Sequence, residues 1–237
     1  MTDEPPATNG TPIAGAAGAG PAPPASGRGL RRRHRRAPIE VGGEDLGRII
    51  SLSDGVFAFA LTLLVLSLTV PSVSSNGALG AALRHDYGAF FGYAFAFVMI
   101  AIWWLVHNRT FQYIVRFDST LVWLNMMLLA QIAVMPFTLS VYTDYSGAGY
   151  QYAVDLFATI QITLGLTTTL MWEYARRAHL TKPDVPVAVS RYFTNRGLAS
   201  AGVFALSIGI SFYNVAWAQY SWFLILVVQR LLTVEGD

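Results

Sequence analysis

Six stretches of nearly unbroken apolar sequence, each close to twenty residues long, constrain this chain more than any other feature. They run over about 46–70, 87–107, 119–142, 151–174, 193–213 and 216–233. A helix of about twenty apolar residues crosses the hydrocarbon core of a bilayer. In hydrocarbon every backbone N–H and C=O must be satisfied within the protein, so runs of this length fold as helices. The bulk numbers agree. The chain is 54% hydrophobic and 13% charged, against about 25% charged in ordinary soluble domains. It contains no cysteine, which excludes disulfides, zinc–thiolate sites and cysteine nucleophiles. No Ser/His/Asp set, carboxylate pair or metal-ligand cluster falls within the apolar runs, so neither an enzyme nor a metal site is expected.

Residues 1–43 are rich in Pro, Ala and Gly and nearly free of large apolar side chains. A segment of that composition cannot bury a core and is expected to be a disordered basic tail. Its "RGLRRRHRRAP" stretch is expected to act as a cytosolic topogenic charge cluster, with anionic lipid as a compatible partner and no role in binding nucleic acid. The remaining residues, 44–234, form the membrane domain. With the N-terminus in the cytosol, the cytosolic connections hold Arg109, Arg116, Arg176, Arg177, Lys182, Arg191 and Arg196, and the external ones hold only Arg84. Seven against one is the bias of a positive-inside topology, and it leaves both termini cytosolic.

The first run, "RIISLSDGVFAFALTLLVLSLTV", contains Asp54, and a carboxylate there is costly in hydrocarbon. Asp54 lies about 9 Å along the helix from Arg48 at 1.5 Å per residue. The second run returns toward the cytosol and ends in "IWWLVHNRTF"; the third begins "DSTLVWLN". Ser53, Asp54, Trp103, Trp104, His107 and Asn125 therefore share one depth with Arg48 nearby. A buried hydrogen-bonded network of these residues is the expected means of offsetting the charge. A proton relay through Asp54 and His107, or an ion site at Asp54, remain open as alternatives. On a helical wheel Arg48, Gly55, Phe59, Thr62, Leu63, Leu66 and Val70 share a face, with Asp54 roughly 120° from its centre. Phe57 falls about 160° from Phe59 and is expected to face lipid. Pro136 is expected to kink the third helix.

Arg48, then Leu52-Ser53-Asp54 and the "GVFAFALTLLVL" that follows, closely resemble the signature of the transmembrane protein 175 family of lysosomal and bacterial potassium channels. The similarity continues through "WWLVHNRTFQYIVRFDSTLVWLNMMLLAQIAVMPF". That family lacks the TVGYG filter loop of ordinary potassium channels, as does this chain. The resemblance implies an all-α fold with six transmembrane helices per chain, and a homotetramer whose central pore is lined by the first helix. It implies no cofactor beyond permeant potassium, and a multi-pass location in a bacterial plasma membrane. It maps the pore constriction onto Phe59, Leu63 and Leu66, and a selectivity threonine onto Thr62. Two positions depart from the family pattern: Leu52 replaces a phenylalanine, and Phe59 an isoleucine or leucine. A ring of apolar side chains forces ions to shed water, and potassium, less strongly hydrated than sodium, is favoured there. A proton-coupled transporter or leak using Asp54 and His107, and a non-conducting scaffold, are the competing functions.

Overall fold

The computed structural model describes residues 43–68, 72–73, 75–85, 87–145 and 149–231. Among these, the named elements are all helices, with one isolated antiparallel β-bridge between Ile114 and Thr181. They comprise α1 (Gly43–Leu63), continued by a 3-10 turn at Leu64–Ser67, then α2 (Asn76–His85), α3 (Tyr87–Phe111) and α4 (Ser119–Tyr145). These are followed by α5 (Gln151–Arg177), α6 (Val187–Ser211), α7 (Val215–Ser221) and α8 (Leu224–Leu231). The predicted tail, 1–43, lies outside the described residues except for Gly43, which opens α1.

Four helical segments are long and apolar enough to cross a membrane by length and composition: Asp45–Leu66, Phe90–Phe111, Ser119–Tyr145 and Gln151–Arg177. The chain is thus a membrane protein with at least these four candidate spans among its described residues. The expected fifth span corresponds to α6, whose first turns carry Arg191 and Arg196. The expected sixth, 216–233, is not one helix. It breaks at Trp222 and Phe223 into α7 and α8. The cause is the seating of Trp222. Its indole N–H donates to Ser207 Oγ at 2.7 Å, and its ring lies 4.9 Å from that of Phe157 and 5.6 Å from that of Phe204. To reach this pocket the chain tightens into i→i+3 hydrogen bonds, from Trp222 N to Gln219 O and from Phe223 N to Tyr220 O, a 3-10 geometry. Helix α2 was not expected. Its signal is Ser75, whose Oγ accepts from the N–H of Ala78 at 3.2 Å as an N-cap. Helix α4 runs on through Pro136.

The helices pack in sequence order, α1 against α3 and α4, α4 against α5, and α5 against α6. Phe57, Ala60, Leu64, Ile100, Leu128, Ile132 and Met135 are buried at the centre. The α5–α6 crossing is close because Gly165 and Gly197 face each other. A Cβ on Gly165 would sit 2.9 Å from the Gly197 carbonyl oxygen, and one on Gly197 would sit 2.1 Å from Thr169 Oγ1. Thr169 returns its hydroxyl hydrogen to Gly165 O at 2.8 Å. At the arginine-rich end, the α3–α4 and α5–α6 connections clasp each other. Val115 N and Arg116 N both donate to Leu180 O, Lys182 N donates to Tyr113 O, and the Arg116 guanidinium donates to His179 O at 2.7 Å. His179 takes a left-handed backbone, φ 57°, to present that carbonyl.

Candidate functional site

Helix α1, taken with its 3-10 continuation over Leu64–Ser67, has two faces of opposite character. Ser53, Phe57, Ala60 and Leu64 follow one another at spacings of four, three and four, and each is at most 2% exposed. This is the helical period of a face pressed into a core. On the other side Phe59 is 64% and Leu66 74% exposed, and Thr62 is exposed with them. Leu63 is half-buried at the border of the two faces. Large apolar side chains left open along one stripe of a packed helix mark a surface that meets another protein, lipid or a pore. Thr62 donates its hydroxyl hydrogen to Phe59 O at 2.9 Å. This back-bond uses the proton and leaves the oxygen lone pairs available to a cation.

The polar residues at the common depth do not form one network. Three separate pairings are present. The buried one joins three helices: Asn125 Nδ2 donates to Ser53 Oγ at 3.0 Å, Ser53 Oγ donates to Ile49 O at 2.9 Å, and His107 Nε2 lies 3.0 Å from Asn125 Oδ1. Because Oδ1 only accepts, Nε2 carries the hydrogen in this arrangement. The imidazole is held between the rings of Phe57 at 5.5 Å and Phe111 at 4.4 Å. Asp54 is outside this set. It is exposed on the protomer, and its Oδ1 accepts from Trp104 Nε1 at 2.9 Å. Trp103 turns the other way and donates from Nε1 to Gln161 Oε1 at 2.8 Å, tying α3 to α5. Arg48 joins none of them. Its side chain is largely exposed, and it lies 3.9 Å from the Asp45 carboxylate.

The division has a simple cause. Ser53 and Asp54 are consecutive, as are Trp103 and Trp104, and consecutive helical residues point about 100° apart. A shared depth therefore does not give a shared direction. The same periodicity correctly sets Phe57 opposite Phe59, but the expectation that Phe57 faces lipid is wrong. It is 1% exposed and packs on His107, so the side of α1 away from the open stripe is its core side. Sequence reasoning missed Gln161. Its only signal is an amide within an apolar run, and its partner Trp103 is 58 residues away. Among the described residues no group of three His, Asp or Glu side chains is placed to hold a metal ion.

Three comparisons bear on this arrangement. The sequence profile of the family described as endosomal/lysosomal potassium channel TMEM175 matches residues 48–136. That range holds the α1, α3 and α4 residues of the three pairings and of the open stripe. A Streptomyces collinus protein named as a potassium channel is 31% identical over 172 residues, 71% of this chain and 83% of that protein. The human protein named as the endosomal/lysosomal proton channel TMEM175 is 23% identical over 76% of this chain, which covers 36% of it. In structure, the chain resembles a crystal structure described as a lysosomal potassium-selective channel TMEM175 homolog from Chamaesiphon minutus. The TM-score is 0.65 with 22% identity, covering 81% of this chain and all of that one; this likeness concerns the fold. On the extent of the match to the Streptomyces relative and on the family profile, the chain belongs to the TMEM175 family.

Proposed function

We propose that this chain is a potassium-permeable channel that assembles as a homotetramer around α1, with Phe59, Thr62, Leu63 and Leu66 along the ion pathway. The observation that carries this reading is the open stripe on α1. Phe59 and Leu66 are large, apolar and more than half exposed in the protomer, with a threonine oxygen between them. Four such stripes around a symmetry axis make successive rings of Phe59, Thr62 and Leu66. The half-buried Leu63 stands at the seam between neighbours. The apolar rings make shedding of water the main barrier. The Thr62 hydroxyls, their hydrogens turned back to Phe59 O, replace part of the lost hydration. The names of the Streptomyces and Chamaesiphon relatives support potassium as the permeant ion.

The same reading takes six crossings per chain, with α6 as the fifth and α7 and α8 together as the sixth. It places both termini in the cytosol of a bacterial cell, because seven basic residues in or near the connections then lie inside and one outside. Asp54, exposed beside the open stripe and held by Trp104, lies where a neighbouring protomer packs.

The animal relatives are named as proton channels, yet the hydrogen bonds here do not favour a relay through Asp54 and His107. The Asp54 oxygen is held by an indole N–H, a group that donates and cannot accept. His107 is directed to Asn125 instead. The experiment is cation flux in liposomes reconstituted with the purified protein. Potassium flux that needs no proton gradient supports the proposal. Flux that follows the proton gradient alone contradicts it, as does the absence of flux, the outcome for a scaffold sealed by Phe59.

A further inference from the structure

A cleft of about 260 Å³ lies away from α1, among α3, α5, α6 and α8. Its walls are apolar: Met99 and Ile102 from α3, Phe204 from α6, Ile225 and Leu226 from α8. Ile102 is 40% and Leu226 66% exposed, so the cleft opens sideways onto the outer surface of the protomer. Such a cleft in a membrane protein would need nothing but hydrocarbon if it were apolar throughout. Two features make it otherwise.

The first is charge. Arg109, in the last turn of α3, and Arg196, on α6, both line the cleft, and among the described residues no acidic one does. Arg196 donates to the Tyr192 hydroxyl and lies over its ring, and no carboxylate pairs with Arg109 or Arg196 among the described residues. The second is the wall at depth. Gln161 and Thr168 are 0% and 6% exposed. Among the described residues Gln161 Nε2 and Thr168 Oγ1 have no hydrogen-bond partner, although the other end of the Gln161 amide is fixed by Trp103. Buried donors are rarely left in that condition. Trp103, and with it Gln161, lies six residues along α3 from Arg109, about 9 Å at 1.5 Å per residue. From the arginine-rich end inward the cleft offers two guanidiniums, then the Thr168 donor and, about 10 Å further along α5 at 1.5 Å per residue, the Gln161 donor, beside an apolar trough.

We propose that this cleft holds an anionic phospholipid of the leaflet at the arginine-rich end. The phosphate sits against Arg109 and Arg196, whose planar donor sets match phosphate oxygens. An ester oxygen accepts from the Thr168 hydroxyl, and an acyl chain passes Gln161 to lie along Ile102, Phe204, Ile225 and Leu226. Basic pockets between membrane helices commonly take anionic headgroups. This inference rests on the chain spanning a membrane and not on which ion it conducts.

The test is native mass spectrometry of the full assembled chain, delipidated and then titrated with phosphatidylglycerol or with phosphatidylcholine of the same acyl chains. A photoreactive acyl phosphatidylglycerol locates the contact. The expected result is retention of phosphatidylglycerol over phosphatidylcholine, crosslinks on α3, α6 and α8, and retention weakened about tenfold or more in Arg109→Gln/Arg196→Gln, the loss of charge-assisted contacts. Arg177→Gln, which removes a charge at the same end but outside the cleft, should retain the lipid like the parent. Ile102→Trp, at a surface position, fills the trough and should exclude the crosslink while keeping assembly mass and melting temperature. If the double arginine variant does not fold, Ile102→Trp alone decides. Four results overturn the proposal: equal retention of the two lipids, equal loss in Arg177→Gln, full displacement by inorganic phosphate, or crosslinking that survives Ile102→Trp. So does a cleft that crosslinks in the monomer but not in the assembly, which would assign it to a neighbouring copy of the chain.

Discussion

Phe59 and Phe57 are two residues apart and have opposite fates. Phe59 stands open with Thr62 one turn on, whereas Phe57 is sealed against His107. Phe59→Ala is expected to raise cation flux and lower potassium-over-sodium preference, because a wider ring lets ions keep more water. Thr62→Ala should lower the preference without a comparable rise in flux, because it removes oxygens and little bulk. Parallel potassium and sodium flux in liposomes separates the two. Phe57→Ala should act on stability instead. Truncating a buried phenylalanine costs about 3–5 kcal/mol. Asn125→Ala strands His107 Nε2 and removes a donor from Ser53, and each buried polar group left unpaired costs about 1–3 kcal/mol. Both variants should melt well below the parent in detergent, as read by fluorescence-detected size exclusion. A parent-like melting temperature for Asn125→Ala would show that the three-helix hydrogen-bond set is not a structural tie.

At the scale of elements, the α5–α6 crossing sets how closely the second half of the bundle packs. Gly197→Ala places a methyl 2.1 Å from Thr169 Oγ1 and 3.0 Å from Gly165 O. The threonine must rotate and give up its bond to Gly165 O, or the helices must part. Overpacking of this kind typically costs about 1–3 kcal/mol. Thr169→Ala in the same chain should recover part of the loss, and thermal melting of the single and double variants checks it. The spans over α1, α3, α4 and α5 were legible in the sequence because a long apolar run has one solution in a bilayer. The two faces of α1 were legible because they need only the helical period. The break between α7 and α8 was not. It depends on a slot for Trp222 built from Ser207, Phe157 and Phe204, and no local pattern around 222 encodes it. The site was legible to the same degree. Depth can be counted along one helix, so the polar layer was found. Direction depends on which neighbour each side chain meets, so its division into three pairings was not.

For the whole molecule, the expectations are assembly and a pathway along its axis. Removing residues 1–40, a stretch without apolar periodicity, should leave the oligomer mass unchanged at four chains when measured by light scattering with the detergent contribution subtracted. A mass of one or two chains for the parent would remove the central axis on which the pathway depends. The pathway itself can be probed cleanly because the chain contains no cysteine, so any thiol introduced is the only one. The most direct measurement is block of potassium flux in liposomes by a cationic, water-soluble thiol reagent in Leu66→Cys. Trp123→Cys, at an equally exposed position (74%) on α4, serves as the comparison. With α1 lining the pathway, labelled Leu66→Cys loses most of its flux and Trp123→Cys keeps it under the same treatment. Stoichiometric labelling of Leu66→Cys with undiminished flux, or equal block at Trp123→Cys, would contradict the assignment of the open face of α1 to the ion pathway.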